Sequence, residues 1–118
     1  MSMDNNITDL MLKRITSGKP TLISLTGISM LPLLEPNDVI TIQKCSTYNV
    51  DDIIMFKYNV EGYLLHRIVE IVDDNVFLCK GDNAKRIEVV MFRQILGKMI
   101  RATRFEETVY EEPQSSNK

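Results

Sequence analysis

From Thr21 onward the chain is built of short segments rich in β-branched residues, each cut off by turn-forming residues. This texture limits the fold more than any other feature. Runs at 21–25, 38–43, 52–58, 63–72, 75–79 and 94–103 have strand length and strand composition. In 38–43, Val39 and Thr41 share one face while Ile40 and Ile42 share the other. Turns are expected at 59–62 and 73–75, where Asn, Asp and Gly tolerate hairpin dihedrals. Frequent short strands with short connections imply a mainly β fold. The expected architecture is an antiparallel coiled sheet or partly open barrel rather than an α/β sandwich.

One helix is expected before the strands, over 4–17. Ile7, Leu10, Met11 and Ile15 recur at helical spacing, and Asp4 or Asn5 can cap its start. Gly18-Lys19-Pro20 ends it, since Gly suits the left-handed position and Pro cannot continue a helix. At 118 residues the chain is expected to hold one domain, with 44% hydrophobic residues to form its core. The division reads as a helix and connector at 1–19, a β domain at 20–105 and a flexible acidic and polar tail at 106–118.

Composition narrows the function classes. A net charge of −2 with interspersed signs leaves no basic stripe for a phosphate backbone, and the lack of Trp removes a stacking platform, so no nucleic acid is expected. The start is polar and no window reaches membrane-span length, so a soluble cytoplasmic protein is expected, peripheral membrane contact aside. Cys45 and Cys79 lack metal spacing, so neither metal nor other cofactor is implied and reduced thiols are expected.

The chemistry gathers in three small contexts. Gly27-Ile28-Ser29-Met30-Leu31-Pro32 follows a strand, and a tight strand-to-loop turn exposes a hydroxyl beside free backbone N–H groups. His66, the only histidine, lies in an apolar strand on the face of Leu64 and Ile68. Its ordinary pKa suits a proton acceptor near neutral pH. Asp82 follows a strand end in Lys80-Gly81-Asp82-Asn83. Each has a plainer reading: a turn serine, a half-buried histidine and a turn aspartate. Spacing alone does not choose Asp82 over Asp38, Asp51, Asp52, Asp73 or Asp74.

Together these segments resemble the type I signal peptidases and the larger group they form with the LexA-type self-cleaving repressors. The likeness runs through Gly27 to Pro32, Asn37-Asp38-Val39-Ile40, Asp52-Ile53-Ile54-Met55-Phe56, His66-Arg67-Ile68-Val69, Lys80 to Asn83 and Ile95-Leu96-Gly97-Lys98. It covers about 21–103 in order. A histidine at position 66, where other branches carry lysine, is similar to the endoplasmic-reticulum, archaeal and spore-former branch.

The resemblance implies a serine endopeptidase. Ser29 is its nucleophile, His66 its general base and Asp82 the carboxylate that orients the imidazole. The Ser29 backbone N–H contributes to an oxyanion hole. It also implies a peptide or protein substrate, bound as an extended strand near Gly27, Met30, Leu31 and Pro32. Met30, Leu31, Leu33 and Leu34 can instead be core. The chain departs from the pattern in having no membrane anchor, no preceding helix-turn-helix, and Gly27 where some branches place serine. Asn37 and Asp51 stand where glycines are expected, and both residue types tolerate left-handed backbone. A catalytically inactive peptide- or protein-binding module on the same fold is the alternative. Self-cleavage near Ser17-Gly18 is a third reading.

Overall fold

A computed structural model describes residues 7–60 and 62–113. Its helix, α1 (Asp9–Thr16), is capped by Thr8, whose hydroxyl accepts the Met11 N–H at 3.1 Å. The expected caps Asp4 and Asn5 lie outside the described residues. Gly18, with φ +91°, closes the helix. Ile15 is wholly buried, and Ile7 and Met11 pack beside it.

The strands are β1 (Thr21–Ser24), β2 (Val39–Gln43), β3 (Ile53–Lys57), β4 (Tyr63–Asp73), β5 (Val76–Lys80), β6 (Ile87–Met91), β7 (Ile95–Arg104) and β8 (Glu107–Glu111). They form one open antiparallel sheet in the order β1-β2-β7-β3-β4-β5-β6, with β8 paired to β7. β7 organises it. One edge carries β2, while the other is shared between β3 at 95–98 and β8 at 101–104. The mainly β class with one short N-terminal helix is therefore the class the strand texture implied.

Both faces of the sheet are covered at its centre. Ile53, Met55 and Leu65 join Ile23, Leu34 and Ile40 in one cluster under α1. Ile54, Phe56, Leu64 and Ile68 join Phe77 and Val90 in the other. β3 is buried on both faces, so it reads as an unbroken apolar run rather than an alternating one.

Two strands were not expected. β6 supplies an edge, with Ile87 and Val89 turned to solvent, so its apolar content does not mark a core-facing run. β8 occupies the start of the segment expected to be a flexible tail. Phe105 and Glu106 form a two-residue turn with φ of 52° and 67°, and Val109 and Tyr110 pack against the core. Among the described residues no helix is long and apolar enough to cross a membrane.

Candidate active site

The segment after β1 leaves the sheet as a turn. Gly27 has φ +87°, a conformation that costs a side-chain-bearing residue about 1–2 kcal/mol. Leu31 N–H bonds back to the Ile28 carbonyl at 3.2 Å and Leu34 N–H to the Met30 carbonyl at 3.0 Å. The Leu31–Pro32 bond is cis. Ser29 sits half-buried within this turn.

The turn is fastened to the connector after β5. Asn83 N–H donates to the Ser29 carbonyl at 2.8 Å, and its side-chain amide donates to the Ile28 carbonyl at 3.1 Å. Gly81 makes this approach possible. A Cβ there would stand 2.6 Å from the Ser29 carbonyl oxygen, closer than a Cβ comes to a backbone atom, and 3.1 Å from His66 Nε2, a tight contact. The absence of a side chain at 81 thus lets the serine turn and the histidine share one space.

His66 projects from β4 beside Leu64 and next to the Phe56 ring, whose centroid is 5.9 Å away at a steep angle. It is 4% exposed. Its Nδ1 meets Glu88 Oε1 at 2.8 Å. An ionised carboxylate only accepts, so the neutral ring carries its proton on Nδ1 and leaves the Nε2 lone pair free to accept. Among the described residues Nε2 is the one buried side-chain nitrogen or oxygen without a hydrogen-bond partner. Leaving such an atom unmatched costs about 1–3 kcal/mol. Burial lowers the His66 pKa below its ordinary 6.5, and the Glu88 carboxylate opposes that fall without cancelling it.

Ser29, His66 and Glu88 line one cleft of about 330 Å³, with Tyr58, Leu64 and Arg86 on its walls. Ser29 Oγ does not hydrogen-bond Nε2, which has no partner. Such contacts are often long until substrate is bound.

Asp82 does not reach His66. It takes a forked ion pair from Arg67, with Nε to Oδ1 at 2.9 Å and a terminal nitrogen to Oδ2 at 2.8 Å. The carboxylate on the imidazole is instead Glu88, on β6. The physical reason is register. Asp82 follows the end of β5 and faces the guanidinium of the neighbouring β4 residue. Glu88 lies opposite Cys79, itself opposite Ile68, and its side chain spans β5 to reach the ring.

Among the other aspartates, Asp38, Asp52 and Asp73 have side-chain partners elsewhere. Asp38, 1% exposed, pairs with Arg104 and accepts the Glu35 N–H; burial is the largest single effect and raises its pKa, but these bonds and the Arg104 charge together outweigh it and hold the pKa below normal. Asp52 accepts the Asn49 N–H, and Asp73 accepts that of Asn75. Asp51 bonds through its backbone carbonyl to Arg67. Asn37 and Asp51 adopt φ of 78° and 80°, so the turns expected to tolerate their missing glycines do so.

The expected substrate-binding stretch is only partly available. Met30 is 1% exposed and belongs to the core, as does Leu34. Met30 is also spent structurally, since its sulfur accepts the Asp82 N–H at 3.5 Å. Leu31 is half-buried and Pro32 exposed, but neither they nor Gly27 line the cleft holding Ser29 and His66. Its walls come from the end of β3 and the segment entering β6. Neither carried a site motif in the sequence: Tyr58 closes the strand run expected at 52–58, and Arg86 lies outside the motif segments.

Cys45 and Cys79 are free thiols, as expected. Burial, with the Glu88 charge acting in the same direction, pushes the Cys79 pKa up to about 12. Comparison of the chain with protein-family models, with curated proteins and with solved structures returned no match.

Proposed function

We propose that this protein is a serine endopeptidase of the signal-peptidase-like kind, with Ser29 as nucleophile, His66 as general base and Glu88 as the carboxylate that orients it. The observation carrying this reading is the state of His66. Its Nδ1 is anchored by a buried carboxylate, and its Nε2 is buried and unpartnered in the cleft that also holds Ser29.

In the reaction, the Ser29 hydroxyl adds to a peptide carbonyl carbon while its proton passes to His66 Nε2. The carbonyl oxygen takes the displaced electron pair, and the Ser29 backbone N–H donates to it. The imidazolium, stabilised by Glu88, then protonates the departing amine as the C–N bond breaks. Water, deprotonated by the same Nε2, attacks the resulting ester and releases the acid and the free serine. The low pKa keeps His66 neutral, as a base must be, at physiological pH.

A second reading, a non-catalytic peptide-binding module, draws support from the missing Ser29–His66 hydrogen bond. A fluorophosphonate probe separates the two. The peptidase becomes covalently labelled at Ser29, and labelling disappears in Ser29→Ala and falls sharply in His66→Ala. A folded protein that stays unlabelled from pH 6 to 9 is the binding module.

A further inference from the structure

The cleft at Ser29 does not end at Tyr58. Tyr58 and Asn59 also line a second cleft of about 430 Å³, together with Lys57 and Arg93. Lys57, Arg93 and Gln94 in turn line a third, of about 380 Å³, which Lys44 and Tyr63 complete. The three clefts therefore share walls in sequence and make one surface path away from the serine.

The serine cleft carries Glu88 as well as Arg86, whereas the charged residues described on the second and third clefts are all basic. Lys44, Lys57 and Arg93 come from three separate parts of the fold, and all three are exposed. No described carboxylate lines the second or third cleft. Lys57 lies 5.9 Å over the Tyr63 ring and Lys44 donates to the Thr16 carbonyl at 3.4 Å, but none of the three cations makes an ion pair among the described residues. Elsewhere some basic residues are paired, Arg67 with Asp82, Arg104 with Asp38 and Lys98 with Glu112, while others, such as Lys13, Lys19 and Lys85, make no ion pair among the described residues. Three exposed cations on adjoining clefts that hold no described carboxylate, in a chain of net charge −2, give this surface a local positive potential.

We infer that this path is an exosite for an acidic stretch of the peptide substrate, held by Lys57, Arg93 and Lys44 while the scissile bond lies at Ser29. The inference rests on the peptidase reading for what happens at Ser29, and on charge complementarity and continuity for the path itself. An extended peptide leaving the active-site cleft past Tyr58 meets the three cations in turn, and its Glu or Asp side chains replace the missing ion pairs. Such contacts act mainly on encounter and on KM, and they weaken as salt rises.

The test uses the Ser29→Ala protein, so that binding is read without turnover. Fluorescence anisotropy compares a fluorescein-labelled peptide of alternating Glu and Ala with its Gln counterpart. The Glu peptide binds at least about tenfold more tightly at low salt, and the advantage shrinks as NaCl is added. Lys57→Glu with Arg93→Glu abolishes the advantage, and the Gln replacements reduce it part-way. All these changes lie on exposed side chains and leave the circular dichroism spectrum unchanged. Equal affinity for the two peptides, or an undiminished preference after charge reversal, overturns the exosite. So does tighter binding of a single-stranded oligonucleotide than of the Glu peptide. Fluorophosphonate labelling of the unmodified protein reports separately on the peptidase. A protein that fails to label yet prefers the Glu peptide keeps the acidic-peptide path and loses the catalytic reading.

Discussion

Glycine 81 and histidine 66 show how much of this site depends on single atoms. A methyl group at 81 collides with the Ser29 carbonyl at 2.6 Å, so Gly81→Ala forces the serine turn or the imidazole to move. We expect that variant to lose about 1–3 kcal/mol of stability and most Ser29 labelling, read by denaturant unfolding and by the fluorophosphonate assay. On the proposed peptidase mechanism, His66→Ala removes the base and lowers turnover by about 10²–10⁴ or more while the fold survives. Near-normal turnover there removes His66 from the mechanism. The two carboxylates give different signatures. In Glu88→Gln the ring loses the charge that raised its pKa, so the acid limb of kcat/KM shifts to lower pH as the rate drops. Asp82→Asn weakens its pair with Arg67 and leaves the midpoint of that limb in place. A shifted limb in Asp82→Asn, with none in Glu88→Gln, reverses the assignment.

At the scale of elements, the strands absent from the sequence reading matter most. β6 is a short edge strand, yet it carries Glu88 to His66 across β5. The hairpin joining β7 to β8 turns through Phe105 and Glu106 in left-handed backbone, although Phe105 is 95% exposed and neither residue favours that conformation. Placing Asn and Gly at 105 and 106 supplies residues that suit such a turn. We expect the double variant to gain about 1 kcal/mol, measured by chemical denaturation. Unchanged or lower stability means that the turn's backbone is not a source of strain. The segment between β1 and β2 is held differently. Arg104 of β7 donates to the Asp38 carboxylate and to the Leu33 carbonyl, so a residue far along the chain secures the end of the serine turn.

For the molecule as a whole, acid should act through His66. Its pKa is lower in the folded protein than in the unfolded chain, so the unfolded chain takes up the proton first as pH falls. Stability contributed by the neutral imidazole is fully present above about 6.5 and declines below it, down to the folded-state pKa. Urea unfolding at a series of pH values should show a decline that is smaller in His66→Gln. An identical decline in both proteins assigns the effect to other groups. Much of the fold was legible because strand segments and turns leave local marks: β-branched runs, Asn and Asp at left-handed positions, and Gly18 with Pro20 after the helix. Six strands and the helix could be recognised this way. β6 and β8 could not, since one exposes its apolar residues and the other follows a turn without the usual residues. Ser29 and His66 were legible as candidates from their contexts. Gly81 lay inside the Lys80–Asn83 segment, but its close approach to Ser29 and His66 was not legible there, and Glu88 had no local signal at all. Sequence by itself determined the mainly β class, the turn around Ser29 and the single available histidine, because these follow from residue types and near neighbours. Only the tertiary structure decided that Glu88 rather than Asp82 meets His66, that Met30 is core, and that unpaired Lys and Arg side chains line one path. Each of these depends on strand register, which brings distant residues together and is set by how the whole sheet packs.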